Sequence, residues 1–202
     1  MFCSNIKELF KGNIYSRQNE IFMLPFICGD YFIPRRCFVK AYYDIYDSPI
    51  GRIHVVVDEI GVKKVELFEE DWLEFKNKHG PILKNKELCN EVIVQLDEYF
   101  KGNRKIFDVP LSIECTEFRR KVWKALQDIP YGEIRNYLQI AESIGNPKAV
   151  RAVGQANKFN QLPIIIPCHR VIGKSGNLVG FAGNRTPTQK LLLEIEGVFV
   201  YK

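Results

Sequence analysis

Short segments with helical apolar spacing, within residues 118–158, constrain the fold of this chain more than any other feature. In the first segment, Phe118, Val122 and Leu126 share one face of a predicted helix. The sequence IPYGE then ends that helix, because proline and glycine interrupt helical backbone. The region is therefore predicted to fold as a cluster of short helices.

Two further short helices are predicted after this turn. The second spans residues 137–144, and Gly145 closes it. The sequence GNP begins the third, with Asn146 as N-cap and Pro147 in the first helical position. Two short helices joined by a tight turn that contains glycine form a helix-turn-helix candidate.

The third helix has two chemically different faces. At helical periodicity its polar residues fall within one quadrant, and its small apolar residues lie opposite. The polar quadrant comprises Lys148, Arg151, Gln155 and Lys158, and the apolar face comprises Ala149, Val153 and Ala156. A basic helix face is usually just solvated, but directly after a helix-turn geometry it favours contact with nucleic acid.

The preceding part of the chain is predicted to form a small antiparallel sheet and one helix. Three β-rich runs, AYYDIY, RIHVVV and VKKVELF, are separated by the turn sequences DSPIG and DEIG. Apolar spacing predicts a helix over residues 86–100 that Gly102 stops. The sequence IFDVPLSI is predicted as a further short strand or a linker.

These patterns divide the chain into an extension over residues 1–39, an N-terminal domain over 40–114 and a C-terminal domain over 115–202. Residues 116–202 contain 13 Lys and Arg against 6 Asp and Glu, whereas the first 115 residues contain 16 against 18. A basic C-terminal part suggests a polyanion as partner, although a lysine-rich solvated surface explains the imbalance equally well.

Cysteine usage and hydropathy bear on where the chain operates. The six cysteines form no CxxC pair, which is typical of a reducing compartment where thiols stay free. No stretch reaches the roughly 18 apolar residues of a membrane helix, and no signal peptide is recognised. We therefore expect a cytoplasmic protein, or a nuclear one in a eukaryote, without a membrane partner.

The stretch IIIPCHRVIGKSG contains the candidate reactive group. Residues 164–166 are predicted as a short apolar strand, so that Cys168 lies where the strand runs out into a turn. A thiol, whose ordinary pKa is about 8.5, needs a base or positive surroundings to ionise near neutrality. His169, Arg170 and a distant carboxylate are the candidates, and a buried structural cysteine is the competing interpretation.

Two other chemistries for this stretch stay open. Zinc uses cysteine and histidine as ligands, but Cys168 and His169 are adjacent and no second pair follows at ligand spacing, so no metal site is predicted. A cysteine hydrolase needs a thiolate, a base and an oxyanion hole, with His54, His79 and His169 as candidate bases. Neither His54 nor His79 lies in a recognisable hydrolase context.

The sequence from FRRKVWKALQDIPYGEIRNYLQI through RAVG to IIIPCHRVI resembles the C-terminal domain of the O6-alkylguanine-DNA alkyltransferases. The resemblance covers roughly residues 116–197, and the Pro-Cys-His-Arg core together with RAVG is specific in combination. The strand-rich part is similar, more loosely, to that family's RNase H-like domain. The fold that this implies is α+β, with an N-terminal RNase H-like α/β domain and a C-terminal all-α, winged-helix-like helix-turn-helix domain.

The resemblance implies a single-turnover repair reaction without a cofactor. The family flips O6-alkylguanine, and also O4-alkylthymine, out of the duplex and moves the alkyl group irreversibly onto its own cysteine. By this resemblance Cys168 is the acceptor, His169 is the base acting through a bridging water, and Glu196 orients the histidine. Tyr137 crowds the neighbouring phosphate and donates a proton to the departing guanine, and Asn160 holds the turn that carries the cysteine.

The same resemblance assigns contacts to DNA and to the extruded base. Arg151 is the finger that replaces the base in the stack, and the helix-turn-helix enters the minor groove, which small side chains allow it to approach closely. The other predicted DNA-binding residues are Tyr137, Lys148, Ala149, Ala152 and Gln155, and the predicted pocket residues are Pro163, Val171, Phe181 and Ala182. The expected partner is double-stranded DNA carrying an alkylated guanine, bound by a monomer, with cooperativity along the duplex left open.

Two rival functions follow from the same residues. A DNA-binding module that senses lesions without transferring alkyl groups would have no need of Cys168. A cysteine hydrolase would turn over many ester or peptide molecules, whereas an alkyltransferase accepts one alkyl group per protein molecule.

Overall fold

The computed structural model describes residues 41–79, 82–181 and 185–200. The predicted extension over residues 1–39 lies outside these ranges. Within them, no helix is long and apolar enough to cross a membrane. We keep the predicted division at residue 114 to name the N-terminal and C-terminal domains.

The N-terminal domain is built on a four-stranded sheet of order β3-β2-β1-β4. The strands β1 (Tyr42–Ser48), β2 (Gly51–Val57) and β3 (Val62–Glu66) form the predicted antiparallel meander, and β4 (Leu83–Lys84) pairs in parallel with β1. The β-branched side chains of β2 and β3 are buried, with Ile53, Val55, Val57, Val62 and Val65 in the main core and Val56 on the opposite face of β2. The buried residue of β1 is Asp44.

The turn between β2 and β3 is packed against a later segment. A side chain at Gly61 would meet the Pro110 carbonyl, because a Cβ atom there would lie only 2.1 Å from its oxygen. This close approach lets the Val62 amide donate to the Pro110 carbonyl at 2.8 Å, while the Ser112 amide donates to the Val62 carbonyl. The sequence IFDVPLSI, predicted as a strand or a linker, therefore contributes a single parallel bridge at Leu111.

Two helices cover the sheet. The helix α2 (Lys86–Phe100) has the predicted bounds, and the Asn85 side chain caps it by accepting from the Leu88 amide at 3.1 Å. The helix α1 (Glu69–His79) was not predicted, because Trp72 is its only buried residue and its apolar spacing is weak. Its acidic first turn and basic last turn match the helix dipole.

The C-terminal domain contains four helices and a short two-stranded parallel pair. The helices are α3 (Glu117–Gln127), α4 (Tyr137–Ser143), α5 (Val150–Lys158) and α6 (Thr186–Ile195), and the pair is β5 (Arg135–Asn136) with β6 (Val171–Ile172). Asn136 and Gln139 form a capping box at the start of α4. The indole of Trp123 donates to the Ala156 carbonyl at 2.9 Å and fixes α3 against α5.

The predicted start of the third helix of this domain is wrong. The Asn146 carbonyl accepts from the Ala149 amide, which makes a turn, and the helix begins only at Val150 without a side-chain cap. Asn-Pro sequences also initiate turns, and that tendency prevails here. Lys148 and Ala149 therefore precede α5 and do not belong to its faces.

The predicted strand over residues 164–166 is also wrong. These residues form a tight turn in which the Ile166 amide donates to the Leu162 carbonyl, and Ile164 has a positive φ of 74°. The run of apolar residues reflects burial and not strand structure, since Ile164 and Ile166 are each about 1% exposed. A β-branched residue with this backbone is strained by about 1–3 kcal/mol, which the surrounding packing must offset.

One hydrophobic core runs through both domains. It joins buried residues of β2, β3 and α2 to those of α3, α5 and the turn before Cys168. At the contact, the Val65 amide of β3 donates to the Gln161 carbonyl at 2.9 Å. The N-terminal domain thus supports the segment that carries Cys168.

Candidate active site

Cys168 begins a short 3-10 helix (Cys168–Arg170) directly after the turn that contains the strained isoleucine. Two asparagines fix this turn from one side. The Asn160 amide donates to the Ile166 carbonyl at 2.8 Å, and its oxygen accepts from the Leu162 amide at 3.0 Å. The Asn157 amide reaches the Cys168 carbonyl at 3.4 Å. The backbone that positions the sulfur is therefore bonded on both sides of Pro167.

The next two residues form a buried ionic cluster with Glu196, which lies one residue beyond the end of α6. The His169 Nε2 atom lies 2.7 Å from Glu196 Oε1. The Arg170 guanidinium donates from Nε to Oε2 at 2.8 Å and from Nη2 to Oε1 at 3.0 Å. All three side chains are almost completely buried, so the charges interact with little screening by water.

Other groups complete the hydrogen bonding of this cluster. The Tyr99 hydroxyl of α2 donates to Glu196 Oε1 at 2.8 Å, and the Gly132 amide donates to Oε2 at 3.2 Å. The Gln189 side chain of α6 donates to the carbonyl of His169 at 3.1 Å. Glu196 therefore accepts from donors in separate segments of both domains, which fixes its carboxylate in the orientation that binds the imidazole.

The geometry identifies the histidine tautomer. A carboxylate accepts hydrogen bonds, so His169 Nε2 carries the hydrogen that faces Glu196. His169 Nδ1 then carries a lone pair, and it has no hydrogen-bond partner among the residues that the structure describes. A buried acceptor without a partner is uncommon in proteins and is a candidate for chemical use.

Burial decides the protonation states of the site. Burial alone would raise the pKa of Glu196, but the hydrogen bonds and charges of His169 and Arg170 outweigh it and lower that pKa to about 2. Burial lowers the pKa of His169 against the opposing effect of Glu196. Burial raises the pKa of the Cys168 thiol to about 11, against a smaller lowering by Asn160.

The hydrogen bonds of Arg170 correct one expectation from the sequence. Arg170 was a candidate for promoting ionisation of the thiol, but its guanidinium is bound to Glu196 and to the Ile129 carbonyl. At neutral pH the free site holds a protonated thiol, a neutral imidazole and a carboxylate. Cys168 therefore needs a base at the moment of reaction.

A cavity of about 260 Å³ reaches Cys168. Asn157, Asn160, Pro163 and Phe181 line it from the C-terminal domain. Residues of β3 and of the start of α1 line its far side, together with Arg185. The cavity is thus a cleft between the two domains that ends at the sulfur.

Of the four predicted pocket residues, Pro163 and Phe181 line this cavity. Val171 is fully buried in β6 and is not among the lining residues. Ala182 lies outside the residues that the structure describes. Residues of the N-terminal domain, which the sequence did not suggest, also line this cavity, and the assignment of the four residues to the base pocket stays a prediction.

Tyr137 lies at the start of α4, and its hydroxyl donates to the Val179 carbonyl at 3.0 Å. Burial and then the proximity of Cys168 raise the pKa of Tyr137. The hydroxyl therefore remains protonated at neutral pH.

Four of the six predicted DNA-binding residues are exposed at the surface of the helix-turn-helix. Arg151, Ala152 and Gln155 are exposed on α5, and Lys148 is exposed in the turn before it. Ala149 is partly buried in that turn. Val153 and Ala156, on the predicted apolar face, are buried against the rest of the domain.

Within the described ranges, no group of three or more His, Cys, Asp or Glu side chains is arranged to hold a metal ion. His54 is buried in the N-terminal domain, stacked on Trp72 with ring centroids 4.5 Å apart, and His79 stacks on Phe75 near the end of α1. Neither histidine is a member of the cluster at Cys168, so His169 is the histidine that the structure brings to the cysteine.

The chain is similar to one family over both domains. Residues 117–198 match the 6-O-methylguanine DNA methyltransferase, DNA binding domain, and residues 41–113 match the 6-O-methylguanine DNA methyltransferase, ribonuclease-like domain. The constitutive methylated-DNA–protein-cysteine methyltransferase of Bacillus subtilis is 48% identical over 159 residues, which are 78% of this chain and 96% of that protein. The methylated-DNA–protein-cysteine methyltransferase of Methanosarcina acetivorans is 46% identical over 164 residues, which are 77% and 98%.

Solved structures show the same likeness. The crystal structure of the O6-methylguanine methyltransferase of Mycobacterium tuberculosis has a TM-score of 0.68 at 38% identity, and it covers 77% of this chain and 92% of that one. Mycobacterium tuberculosis OGT in complex with DNA has a TM-score of 0.69 at 39% identity, with the same coverage. The mixed fold of a ribonuclease-like domain followed by a helical domain is thereby confirmed.

Proposed function

Since the chain belongs to the 6-O-methylguanine DNA methyltransferase family, we propose a mechanism in which Cys168 accepts the alkyl group. The chain is a methylated-DNA–protein-cysteine methyltransferase, and it repairs DNA by alkyl transfer. One observation carries the assignment to Cys168. Cys168 lines a cavity and precedes a histidine whose Nε2 is bound to Glu196 and whose Nδ1 has no partner among the described residues.

In this proposal His169 Nδ1 removes the thiol proton through a bridging water. The neutral imidazole is ready to accept, because burial lowers its pKa and no described residue engages its lone pair. Glu196 stabilises the imidazolium that forms, and Arg170 keeps that carboxylate ionised. A general base of this kind contributes roughly 10²–10⁴-fold to rate.

The thiolate then displaces guanine from the alkyl carbon. A sulfur–carbon bond forms, and the bond between that carbon and guanine O6 breaks. Attack on an alkyl carbon builds no tetrahedral oxyanion, so the site needs a thiolate and a protonated leaving group rather than an oxyanion hole. Tyr137 supplies the proton to the departing guanine: its hydroxyl is protonated at neutral pH, and it gives up its hydrogen bond to the Val179 carbonyl when it donates.

Chemistry at the O6 atom requires that the base leave the duplex, because a paired base is out of reach of a cleft in the protein. We propose that α5 enters the minor groove and that Arg151 takes the place of the extruded base. Arg151 is exposed on α5 and makes no salt bridge within the described residues. The substrates are O6-alkylguanine and O4-alkylthymine in double-stranded DNA, bound by one copy of the chain.

Alkyl transfer to Cys168 is tested by peptide mass spectrometry after incubation with duplex DNA that contains O6-methylguanine. The peptide with Cys168 gains one methyl group, and no other peptide does. Cys168→Ser abolishes the gain and retains binding to the duplex. Labelling that persists in Cys168→Ser would remove the assignment, and repeated turnover of an ester would favour the hydrolase.

A further inference from the structure

Arg185 connects the two domains at the rim of the Cys168 cavity. Its guanidinium lies over the Phe68 ring, 3.8 Å from the ring centroid. It donates from Nη1 and Nη2 to the two carboxylate oxygens of Asp71, and Nη2 lies 3.6 Å from Glu70 Oε2. One arginine of the C-terminal domain is thus bound by the loop and the first turn of α1 in the N-terminal domain.

The backbone of the same residue holds a wall of the cavity. The Arg185 amide donates to the Phe181 carbonyl at 3.1 Å. Phe181 is 2% exposed and lines the cavity together with Cys168, Asp71 and Arg185. The backbone of Arg185 is therefore bonded to the residue whose side chain lines the cavity.

The combination of contacts is stronger than an ordinary surface ion pair. Isolated exposed pairs contribute little, because water screens them and long side chains lose freedom. A bidentate pair between a guanidinium and a carboxylate is geometrically specific, and stacking on an aromatic face adds to it. The Arg185 side chain is 30% exposed, so part of this interaction is shielded from water.

We propose that Arg185 is a positioning residue for alkyl transfer: through Asp71 and Phe68 it holds Phe181 as a wall of the Cys168 cavity and so sets the affinity for the alkylated base. This inference rests on the proposed function of Cys168. It assigns the N-terminal domain a part in substrate binding without placing any of its side chains on the reacting atoms.

Saturation kinetics with the free base O6-benzylguanine separate this role from a structural one. Arg185→Ala is expected to raise the half-saturating concentration about fivefold, because the wall is no longer held, and to leave the limiting rate unchanged. Asp71→Ala produces a smaller rise of the same kind. The double variant Arg185→Ala with Asp71→Ala is no worse than Arg185→Ala, because both substitutions break one interaction.

Two further variants keep the test decisive. Arg185→Lys retains the charge but loses the planar fork, so we expect an intermediate half-saturating concentration and a folded protein. Lys190→Ala removes an exposed pair with Glu194 on the same helix, whose atoms lie 3.8 Å apart, and behaves like the unsubstituted chain. Effects of Arg185→Ala and Asp71→Ala that multiply, or a fall in limiting rate alone, would overturn the positioning role.

Failure of this inference is distinguishable from failure of the proposed function. If the unsubstituted chain is alkylated on Cys168 and all Arg185 variants match it in half-saturating concentration, the positioning role falls and the alkyl transfer stands. If neither O6-benzylguanine nor duplex O6-methylguanine alkylates Cys168, both fall together.

Discussion

Each domain buries one carboxylate in a dense set of hydrogen bonds, and the two carboxylates do different things. Asp58 lies in the turn between β2 and β3, and Glu196 lies at the end of α6. Asp58 accepts from the amides of Ile60 and Gly61, from the Ser112 hydroxyl at 2.6 Å and from Lys63 at 3.2 Å. The donors to Glu196 are the side chains of Tyr99, His169 and Arg170 and the Gly132 amide.

The two carboxylates differ in whether a hydrogen-bond partner has a further polar atom that no described residue binds. The donors to Asp58 belong to the turn, to a neighbouring strand and to the segment packed on it. Their hydrogen bonds hold these segments together. His169 presents to Glu196 only one of its two nitrogens, and the other has no partner among the described residues. Both carboxylates have lowered pKa values, so burial and a shifted pKa alone do not identify the functional one. The distinguishing feature of Glu196 is its partner His169, which directly follows Cys168 and has a second nitrogen without a partner among the described residues.

Glu196→Gln should have the largest effect. Unlike a substitution of Asp58, it should reduce the rate of alkyl transfer as well as the stability. An amide can accept from His169 but cannot stabilise an imidazolium, so we expect the rate of alkyl transfer to fall roughly 100-fold. Leaving Arg170 without its buried partner should lower the free energy of unfolding by about 3–5 kcal/mol. Single-turnover rates and denaturant titrations measure the two effects, and a rate close to that of the unsubstituted chain would remove Glu196 from the mechanism.

Acid should weaken the protein through the same carboxylate. The folded-state pKa of Glu196, about 2, lies below its ordinary value of 4.5, so its stabilising contribution is complete above pH 4.5 and is lost as the pH falls toward 2. The size of the complete loss is about 3 kcal/mol. Asp58 acts in the same direction with its own lowered pKa. Denaturant titrations between about pH 6 and pH 3, on the chain and on Glu196→Gln, should give a shallower decline for the variant.

Asp58→Asn should cost stability without affecting the reaction. The side-chain amide retains one acceptor oxygen, but its NH2 group cannot accept from the Ser112 hydroxyl and Lys63. We therefore expect a loss of about 1–3 kcal/mol in the free energy of unfolding. The rate of alkyl transfer should be unchanged at temperatures well below the unfolding transition. A slower reaction of the folded variant would show that the turn at Asp58 reaches the site.

Local signals predicted the parts of the fold that local forces determine. The meander follows from alternating β-branched residues between turn sequences, and α2 follows from apolar spacing with a stop at Gly102. The helix α1 was missed because it is held by charge at its ends and by one tryptophan. The start of α5 was misplaced because Asn146 and Pro147 serve a turn as well as a helix.

The site residues also divide into those that local sequence can indicate and those that it cannot. The sequence around Cys168 singled out the cysteine and His169 as candidates, because they are adjacent in a distinctive motif, and their roles stay predictions. It could not identify Tyr99, which donates to Glu196 from 97 residues away, or Arg185, whose partner Asp71 is 114 residues away. Contacts at such separations depend on how the domains pack, and a single sequence carries no local trace of them.

Tyr99→Phe should have the smallest effect. It should show whether the hydrogen bond from Tyr99 to Glu196 serves stability only, like the contacts of Asp58, or also the reaction. The Tyr99 hydroxyl is the donor through which α2 reaches Glu196, and burial, followed by Glu196 itself, raises its pKa well above the usual value. Removing it leaves the ring packed and leaves His169 and Arg170 on the carboxylate, so the free energy of unfolding should fall by about 1 kcal/mol.

The rate of alkyl transfer should then stay close to that of the unsubstituted chain, because the imidazole keeps its partner. Tyr131→Phe is the matched control, since that hydroxyl donates to the Ile195 carbonyl at 2.9 Å and not to Glu196. If Tyr99→Phe slows transfer while Tyr131→Phe does not, the hydroxyl tunes the carboxylate for catalysis. The N-terminal domain would then act on the chemistry itself as well as on the cavity wall.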